Sequence, residues 1–365
     1  MKTRAAVATA PGADFDIREL DVDDPRPGEL RVRVVATGVC HTDAIIRDQW
    51  YPVPQPVVLG HEGAGVVEAV GEGVTGFAEG DRVVMGPASC GECPQCTAGH
   101  PMYCEDFYAR NFGVRRADGS TAFHDGQTAV GSHFFGQSSF AEHTIVAARA
   151  AVKVPDDTPL DLVGPLGCGL MTGAGSVLNV LRPGPGSSIA VFGTGAVGMA
   201  GMLAARASGA TTIVMVDVVP SRLDFARELG ATHLVDASAG DAVEQLRAVV
   251  PGGVAYALDT TGVPAVFGQM AASLATRGHG VLVGAAKLGT QASIDIGSLL
   301  MTGLTLSMVI EGDAVPREFI PRLIRLHQDG RFPFDRLIRH YPFDQIGAAF
   351  ADSAAGTTLK PVLVY

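Results

Sequence analysis

The segment Ser188-Ile189-Ala190-Val191-Phe192-Gly193-Thr194-Gly195-Ala196-Val197-Gly198 decides the fold. Ser188 to Phe192 is a short apolar run of strand length, and Met199 to Ser208 is alanine-rich and reads as a helix. A glycine-rich turn therefore joins a strand to a helix, and each glycine has its own task there. Gly193 permits the tight turn, Gly195 lets the backbone approach a pyrophosphate, and Gly198 lets the helix pack on the strand. The helix N-terminus offers N–H groups to phosphate. A second strand from Thr212 to Val216 ends on Asp217, nineteen residues past Gly198, where an acid accepts hydrogen bonds from ribose hydroxyls. Asp217 would repel a 2′-phosphate, and Val218 and Val219 place no cation beside it. NAD is favoured over NADP.

Outward from this turn the pattern repeats. A helix from Ser221 to Gly230 and strands at His233-Leu234-Val235, Tyr256-Ala257-Leu258 and Gly280-Val281-Leu282-Val283 continue a strand–helix alternation. Such a series predicts α/β architecture, a doubly wound parallel sheet of the Rossmann type. The first third is instead β-rich: Leu30-Arg31-Val32-Arg33-Val34-Val35 alternates after the turn Pro27-Gly28, and Arg82-Val83-Val84-Met85 is a further short strand. From Tyr103 to Gln137 no periodicity stands out, which predicts loop. Beyond Glu311 a helix from Arg317 to Gln328 and a strand at Val362-Leu363-Val364 are expected. The expected division is a first domain over 1–169, a dinucleotide domain over 170–311, and a return to the first over 312–365.

A chain of 365 residues has volume for two cored domains, and its 47% apolar and 18% charged residues are those of a globular protein. The net charge of −11 argues against nucleic acid or an anionic membrane as partner. Residues 183–205 carry no charge over a span-like length, yet prolines and glycines interrupt them where a strand should turn into a helix. The opening Met1-Lys2-Thr3-Arg4 runs into a strand-like segment without a leader pattern, so a cytoplasmic location is expected.

Six cysteines in a large chain of this kind point away from disulfides. Cys90, Cys93, Cys96 and Cys104 lie within one short loop, as a closed tetrahedral zinc site requires, with iron–sulfur ligation as the alternative. Cys40 and Cys168 are 128 residues apart, and spacing alone cannot pair them. Two contexts bear on them: Val39-Cys40-His41-Thr42-Asp43 and Leu59-Gly60-His61-Glu62-Gly63 set metal-capable and acidic residues beside glycines.

Those two motifs, the four-cysteine loop, Gly164-Pro165-Leu166-Gly167-Cys168-Gly169 and the glycine turn together resemble the zinc-containing medium-chain alcohol dehydrogenases, in order and over essentially the whole chain. The resemblance implies a β-rich GroES-like catalytic domain beside the Rossmann domain, and two zinc ions per chain. A catalytic zinc would be held by Cys40, His61 and Cys168, with Glu62 just behind it and Asp43 orienting the His61 ring. Thr42 would hold the substrate hydroxyl and His41 would face the cofactor pyrophosphate. Arg222 would lie near the adenosine ribose and Lys360 near the pyrophosphate. The implied reaction is reversible hydride transfer between a primary alcohol and NAD.

The family often carries a proton-relaying histidine five residues after the first zinc cysteine; here that position is Ile45. Ile45, Asn111-Phe112-Gly113-Val114-Arg115-Arg116 and Val309-Ile310-Glu311-Gly312-Asp313 are similar to the aryl-alcohol branch, and Trp50, Tyr51 and Phe135 align near the substrate channel. Two alternatives stand beside it. One is a glutathione-dependent formaldehyde dehydrogenase, which needs charged pocket groups to hold glutathione. The other is a non-catalytic binding protein, which loss of zinc ligands would mark. The apolar run from Leu304 to Ile310 corresponds to the strand that pairs across a two-fold axis in the family, which implies a homodimer or homotetramer.

Overall fold

The computed structural model describes the whole chain, Met1–Tyr365, and it divides into two compact units. One comprises Met1–Cys168, Val315–Ile324 and Asp335–Tyr365, and the other Gly169–Ala314 and Arg325–Phe334. The return to the first unit thus falls at Val315 rather than at 312. Residues 325–334, expected in the first unit, group with the dinucleotide unit, where Phe332 and Phe334 are fully buried and Arg331 donates to the carbonyl of Ala207 at 2.5 Å.

The dinucleotide unit is a six-stranded, wholly parallel sheet. Its strands run in the order His233–Asp236, Thr212–Asp217, Ser188–Phe192, Val254–Asp259, Leu274–Leu282, Thr305–Met308. This is the Rossmann order, and ligands of such sheets bind beyond the carboxyl ends of the strands where the order reverses, here beside Ser188–Phe192. The helix Ala196–Ala207 buries every residue from Gly198 to Ala205, because small side chains let it lie close to the strands. Residues 183–205 are therefore a strand and a helix in succession, and no single helix is long and apolar enough to cross a membrane. Of the apolar run 304–310, only Thr305–Met308 is strand, at the sheet edge.

The other unit is β-rich and GroES-like. A five-stranded sheet orders Val57–Val58, Lys2–Ala8, Asp16–Val22, Phe123–Asp125 and Thr128–Val130. In the second sheet Glu29–Gly38 is the hub: Gly63–Val70 pairs along one edge, and His143–Ala147 and Lys360–Val364 share the other. The alternation legible in the sequence buries Leu30, Val32 and Val34 and leaves Arg33 exposed. The stretch 103–137, expected as loop, holds a helix, Phe107–Phe112, and the hairpin Phe123–Asp125/Thr128–Val130. Strands of three residues are too short for a period of two to register.

One buried ion network ties this loop region to the hub strand. Arg116 grips Glu29 with two N–H groups at 2.7 and 3.0 Å, and its Nη1 reaches Asp23 at 2.9 Å. His133 Nε2 adds a contact of 3.2 Å to the same carboxylate. Burial would raise the Glu29 pKa, but hydrogen bonds from His133 and Arg116 pull it down to about 2 from an ordinary 4.5. A carboxyl held low in the folded state stabilises the protein above its unfolded value, and the gain is lost as pH falls from about 4.5 toward 2. Arg116→Met should therefore cost about 3 kcal/mol at pH 7, since it strands a buried carboxylate. In urea unfolding the gap to wild type should shrink as the pH is lowered through 4. A gap unchanged by pH would mean that Arg116 acts by packing alone.

Candidate active site

Cys40 lies two residues past the end of the hub strand and is the N-cap of the helix His41–Arg47. Asp43, fully buried in the first turn of that helix, takes a hydrogen bond from the Cys40 N–H on Oδ2 at 3.1 Å. Its other oxygen receives the Gly60 N–H at 3.0 Å and lies 2.9 Å from His61 Nδ1. One carboxylate thus fixes both segments. With Nδ1–H given to Asp43, the lone pair of His61 is on Nε2, which is buried and has no hydrogen-bond partner. A buried nitrogen aimed at nothing is costly unless it faces a cation.

The ligand atoms of Cys40, His61, Glu62 and Cys168 lie within 4.8 Å of one another, with His61 and Glu62 wholly buried. The Cys40 thiol is held far below its ordinary pKa by its hydrogen bond with Cys168, against burial, and further by the charge of Lys360. Burial pushes Glu62 up, and the Lys360 ammonium opposes it. Two sulfurs, an imidazole nitrogen and a carboxylate form a donor set that fits zinc.

Lys360, assigned by resemblance to the cofactor, is placed by the structure in this metal cluster. Its Nζ is 2.8 and 2.9 Å from the two Glu62 oxygens and donates to the Val39 carbonyl at 3.2 Å. No sequence signal pairs residues 298 positions apart. Thr42 Oγ1 lies 3.7 Å from Cys40 Sγ, so its hydroxyl borders the site. His41 is exposed and meets Trp50 edge to face at 6.2 Å. Ile45 is 2% exposed and carries no proton.

An aromatic cluster covers the His61 ring. Phe135 lies over it at 4.6 Å and Phe134 meets it edge-on at 5.3 Å. Phe112 packs on both, and Tyr51 on Phe112 at 6.3 Å. Trp50 stays 41% exposed.

The second cysteine group is self-contained. The Sγ atoms of Cys90, Cys93, Cys96 and Cys104 are within 4.8 Å of one another and none is in a disulfide. Cys90 and Cys96 sulfurs are 3.9 Å apart. The edge of a tetrahedron with Zn–S bonds of about 2.3 Å is roughly 3.8 Å. Backbone N–H groups of Glu92 and Cys93 point at Cys90 Sγ and lower its pKa to about 6, while burial pushes the Cys96 and Cys104 thiols up. All four positions are filled by protein, which is the form of a structural site.

In the dinucleotide unit Gly193 has φ +93°, and a side chain on Gly198 would stand 1.9 Å from the Gly193 carbonyl. Both positions need glycine. A side chain on Gly195 would meet nothing within 4 Å, so the cradle for a pyrophosphate is open there. Asp217 Oδ2 accepts from Thr194 N and Oγ1 at 2.6 and 2.5 Å, and Oδ1 from the N–H groups of Val218 and Val219 at 2.7 and 3.0 Å. The acid expected to meet ribose thus also shapes the glycine turn. Arg222, in the helix Pro220–Glu228 that follows, has a buried Nε without a partner.

A Rossmann sheet carrying a dinucleotide turn, joined in one chain to two thiolate-rich metal sites, defines a metal-dependent dehydrogenase. The comparisons agree. The alcohol dehydrogenase GroES-like domain matches residues 26–156 and the zinc-binding dehydrogenase domain residues 196–328. A geraniol dehydrogenase of Castellaniella defragrans is 44% identical over all of this chain and 98% of its own. The crystal structure of benzyl alcohol dehydrogenase from Acinetobacter calcoaceticus superposes with a TM-score of 0.97 at 46% identity, covering 100% and 99% of the two chains. An alcohol dehydrogenase zinc-binding domain protein from Burkholderia ambifaria gives 0.98 at 54%, again over 100% and 99%. The chain belongs to the zinc-binding alcohol dehydrogenase family.

Metal analysis of the purified chain should find two zinc ions per chain. Cys40→Ser should lose one of them and all turnover while keeping its circular dichroism. Cys96→Ser should lose the other and melt several degrees lower. Near-normal turnover of Cys40→Ser would remove that residue from the catalytic set.

Proposed function

We propose that this enzyme oxidises primary alcohols whose carbinol carbon is allylic or benzylic, reducing NAD as the aldehyde forms. The aromatic cluster Phe135–Phe112–Tyr51 carries the substrate class. It sits against the His61 ring in the metal unit, and flat apolar side chains of this kind suit flat, conjugated alcohols. The names of the geraniol and benzyl alcohol dehydrogenases it resembles describe an allylic and an aromatic alcohol.

Zinc at Cys40, His61 and Cys168 supplies a Lewis acid that makes the hydroxyl proton easier to lose, and NAD supplies the hydride acceptor. The chain's own groups do the rest. Thr42 accepts or donates at the substrate hydroxyl, Asp43 keeps His61 Nε2 presented, and the phenyl rings keep water off the carbinol carbon. The balance is alcohol plus NAD to aldehyde, NADH and one proton. Because Ile45 is buried and apolar, that proton leaves through water rather than through a side chain at this position.

Asp217 supports NAD as the cofactor. The edge strand Thr305–Met308, with Leu300, Met301, Met308 and Ile310 exposed around it, supports a homodimer or a tetramer of such dimers. Six cysteines with no disulfide among them suit the reducing cytoplasm.

A rate screen should show benzyl, cinnamyl and allylic terpene alcohols at kcat/KM at least tenfold above ethanol, with hydroxymethylglutathione inert. A preference for hydroxymethylglutathione or ethanol would overturn the substrate class. Asp217→Gly combined with Val218→Arg should shift preference toward NADP by a factor of ten or more, about 1.4 kcal/mol per decade. An unchanged ratio would sink the ribose contact. Light scattering at micromolar concentration should return a multiple of the chain mass, and a monomer would refute the interface.

A further inference from the structure

The residue that brackets the metal-binding turn is Gln137. Its side chain is fully buried, and its amide spans both ends of the segment His61-Glu62-Gly63. Nε2 donates to the His61 carbonyl at 3.0 Å and reaches the Gly86 carbonyl at 3.5 Å, while Oε1 accepts the Gly63 N–H at 3.1 Å. Two carbonyls face the NH₂ group and one N–H faces the oxygen, so the amide has a single orientation that satisfies all three. No other side-chain polar group bonds the backbone of both His61 and Gly63. A shorter hydroxyl could not span them.

The backbone around Gln137 is costly to hold. His133, Phe135 and Ser138 all have positive φ, at 63°, 50° and 56°, although none is glycine. Strain of this sort persists where the surroundings over-determine it, most often beside a functional site. Here the surroundings are visible. His133 contacts Glu29 at 3.2 Å, and the Ser138 hydroxyl donates to the Val58 carbonyl at 2.7 Å. Between these anchors Phe134 and Phe135 pack on the His61 ring and Gln137 takes its backbone. The strained segment addresses the zinc-ligand turn from both sides.

We infer that Gln137 is a positioning residue for the catalytic metal: its amide sets where His61 and Glu62 stand and so how tightly the ion is held. The inference rests on the assignment of Cys40, His61 and Cys168 as ligands. Loss of the amide frees the turn to shift while leaving every ligand in place. Groups that orient metal ligands are worth about 10–100-fold in metal affinity. The side-chain hydrogen bonds of Gln137 go to Gly63, His61 and Gly86, so the four-cysteine site serves as an internal reference within the same chain.

The test is release of metal from the purified full-length enzyme to a chromogenic chelator, with Gln137→Met as the isosteric variant lacking both polar atoms. Q137M should release one of its two zinc ions at least tenfold faster than wild type and the other at an unchanged rate. The cobalt-substituted enzyme should show a shifted d–d band for the faster site only. If Q137M does not fold, Gln137→Asn, one methylene short of the span, should show the same selective release. Equal acceleration at both sites would mean a general loss of stability, and unchanged release at both would mean that the amide does not position the ligands. Either overturns the inference while leaving the ligand assignment intact. A wild-type chain that holds only one metal overturns the assignment and the inference together.

Discussion

The hydrogen bonds of the buried Asp43 carboxylate are the constraint on which the metal unit depends. A carboxylate with no exposure is tolerated only if its lone pairs are spoken for, and here Cys40 N–H, Gly60 N–H and His61 Nδ1 claim them. These three donors come from two chain segments about twenty residues apart in sequence. Satisfying the carboxylate therefore brings Cys40 and His61 together and turns the imidazole in one step. The same bond fixes the tautomer, so the ligand nitrogen is defined before any ion arrives. Every other part of the site is built outward from this pairing: Glu62 follows His61 in the chain, and Lys360 bridges Glu62 to the residue before Cys40.

How much of this was legible follows from how local each feature is. The glycine turn, Asp217 and the four-cysteine loop are local in sequence, and each carries its chemistry within a couple of dozen residues. The strands Ser188–Phe192 and Thr212–Asp217 and the helix Ala196–Ala207 between them fall within a few residues of the sequence reading, because period and length reinforce each other there. The pairing of Cys40 and His61 with Cys168 came from resemblance rather than from spacing. What stayed hidden is long-range: Lys360 on Glu62, Arg116 on Glu29, and Gln137 across His61 and Gly63. A lysine opening a C-terminal strand looks like any solvated lysine, and nothing in its neighbours announces a buried partner. The stretch 103–137 was opaque for a different reason. Its elements are three to six residues long and its backbone turns repeatedly into the left-handed region, so neither periodicity applies.

The two metal sites differ in how they are kept in shape. The four-cysteine loop is self-sufficient, since its own backbone N–H groups hold the sulfurs and its ligands close the coordination sphere. The candidate ligands at positions 40, 61 and 168 have no such local frame. They need side chains from elsewhere to hold them, and the chain provides Asp43, Gln137, Lys360 and the phenyl rings over His61. An open site exposes its ion to exchange, so its geometry has to be maintained by groups that do not ligate.

Charge closes the account. Acting as ligands, Cys40 and Cys168 are thiolates, and Glu62 adds a third negative charge within the same few ångströms. Lys360 offers a side-chain cation in contact with Glu62, and burial alone would lower its pKa. Its pKa is raised instead, because Glu62 and Cys40 are worth more to the ammonium than the water it gave up. Lys360 thus makes the presence of Glu62 beside the candidate ligands tolerable.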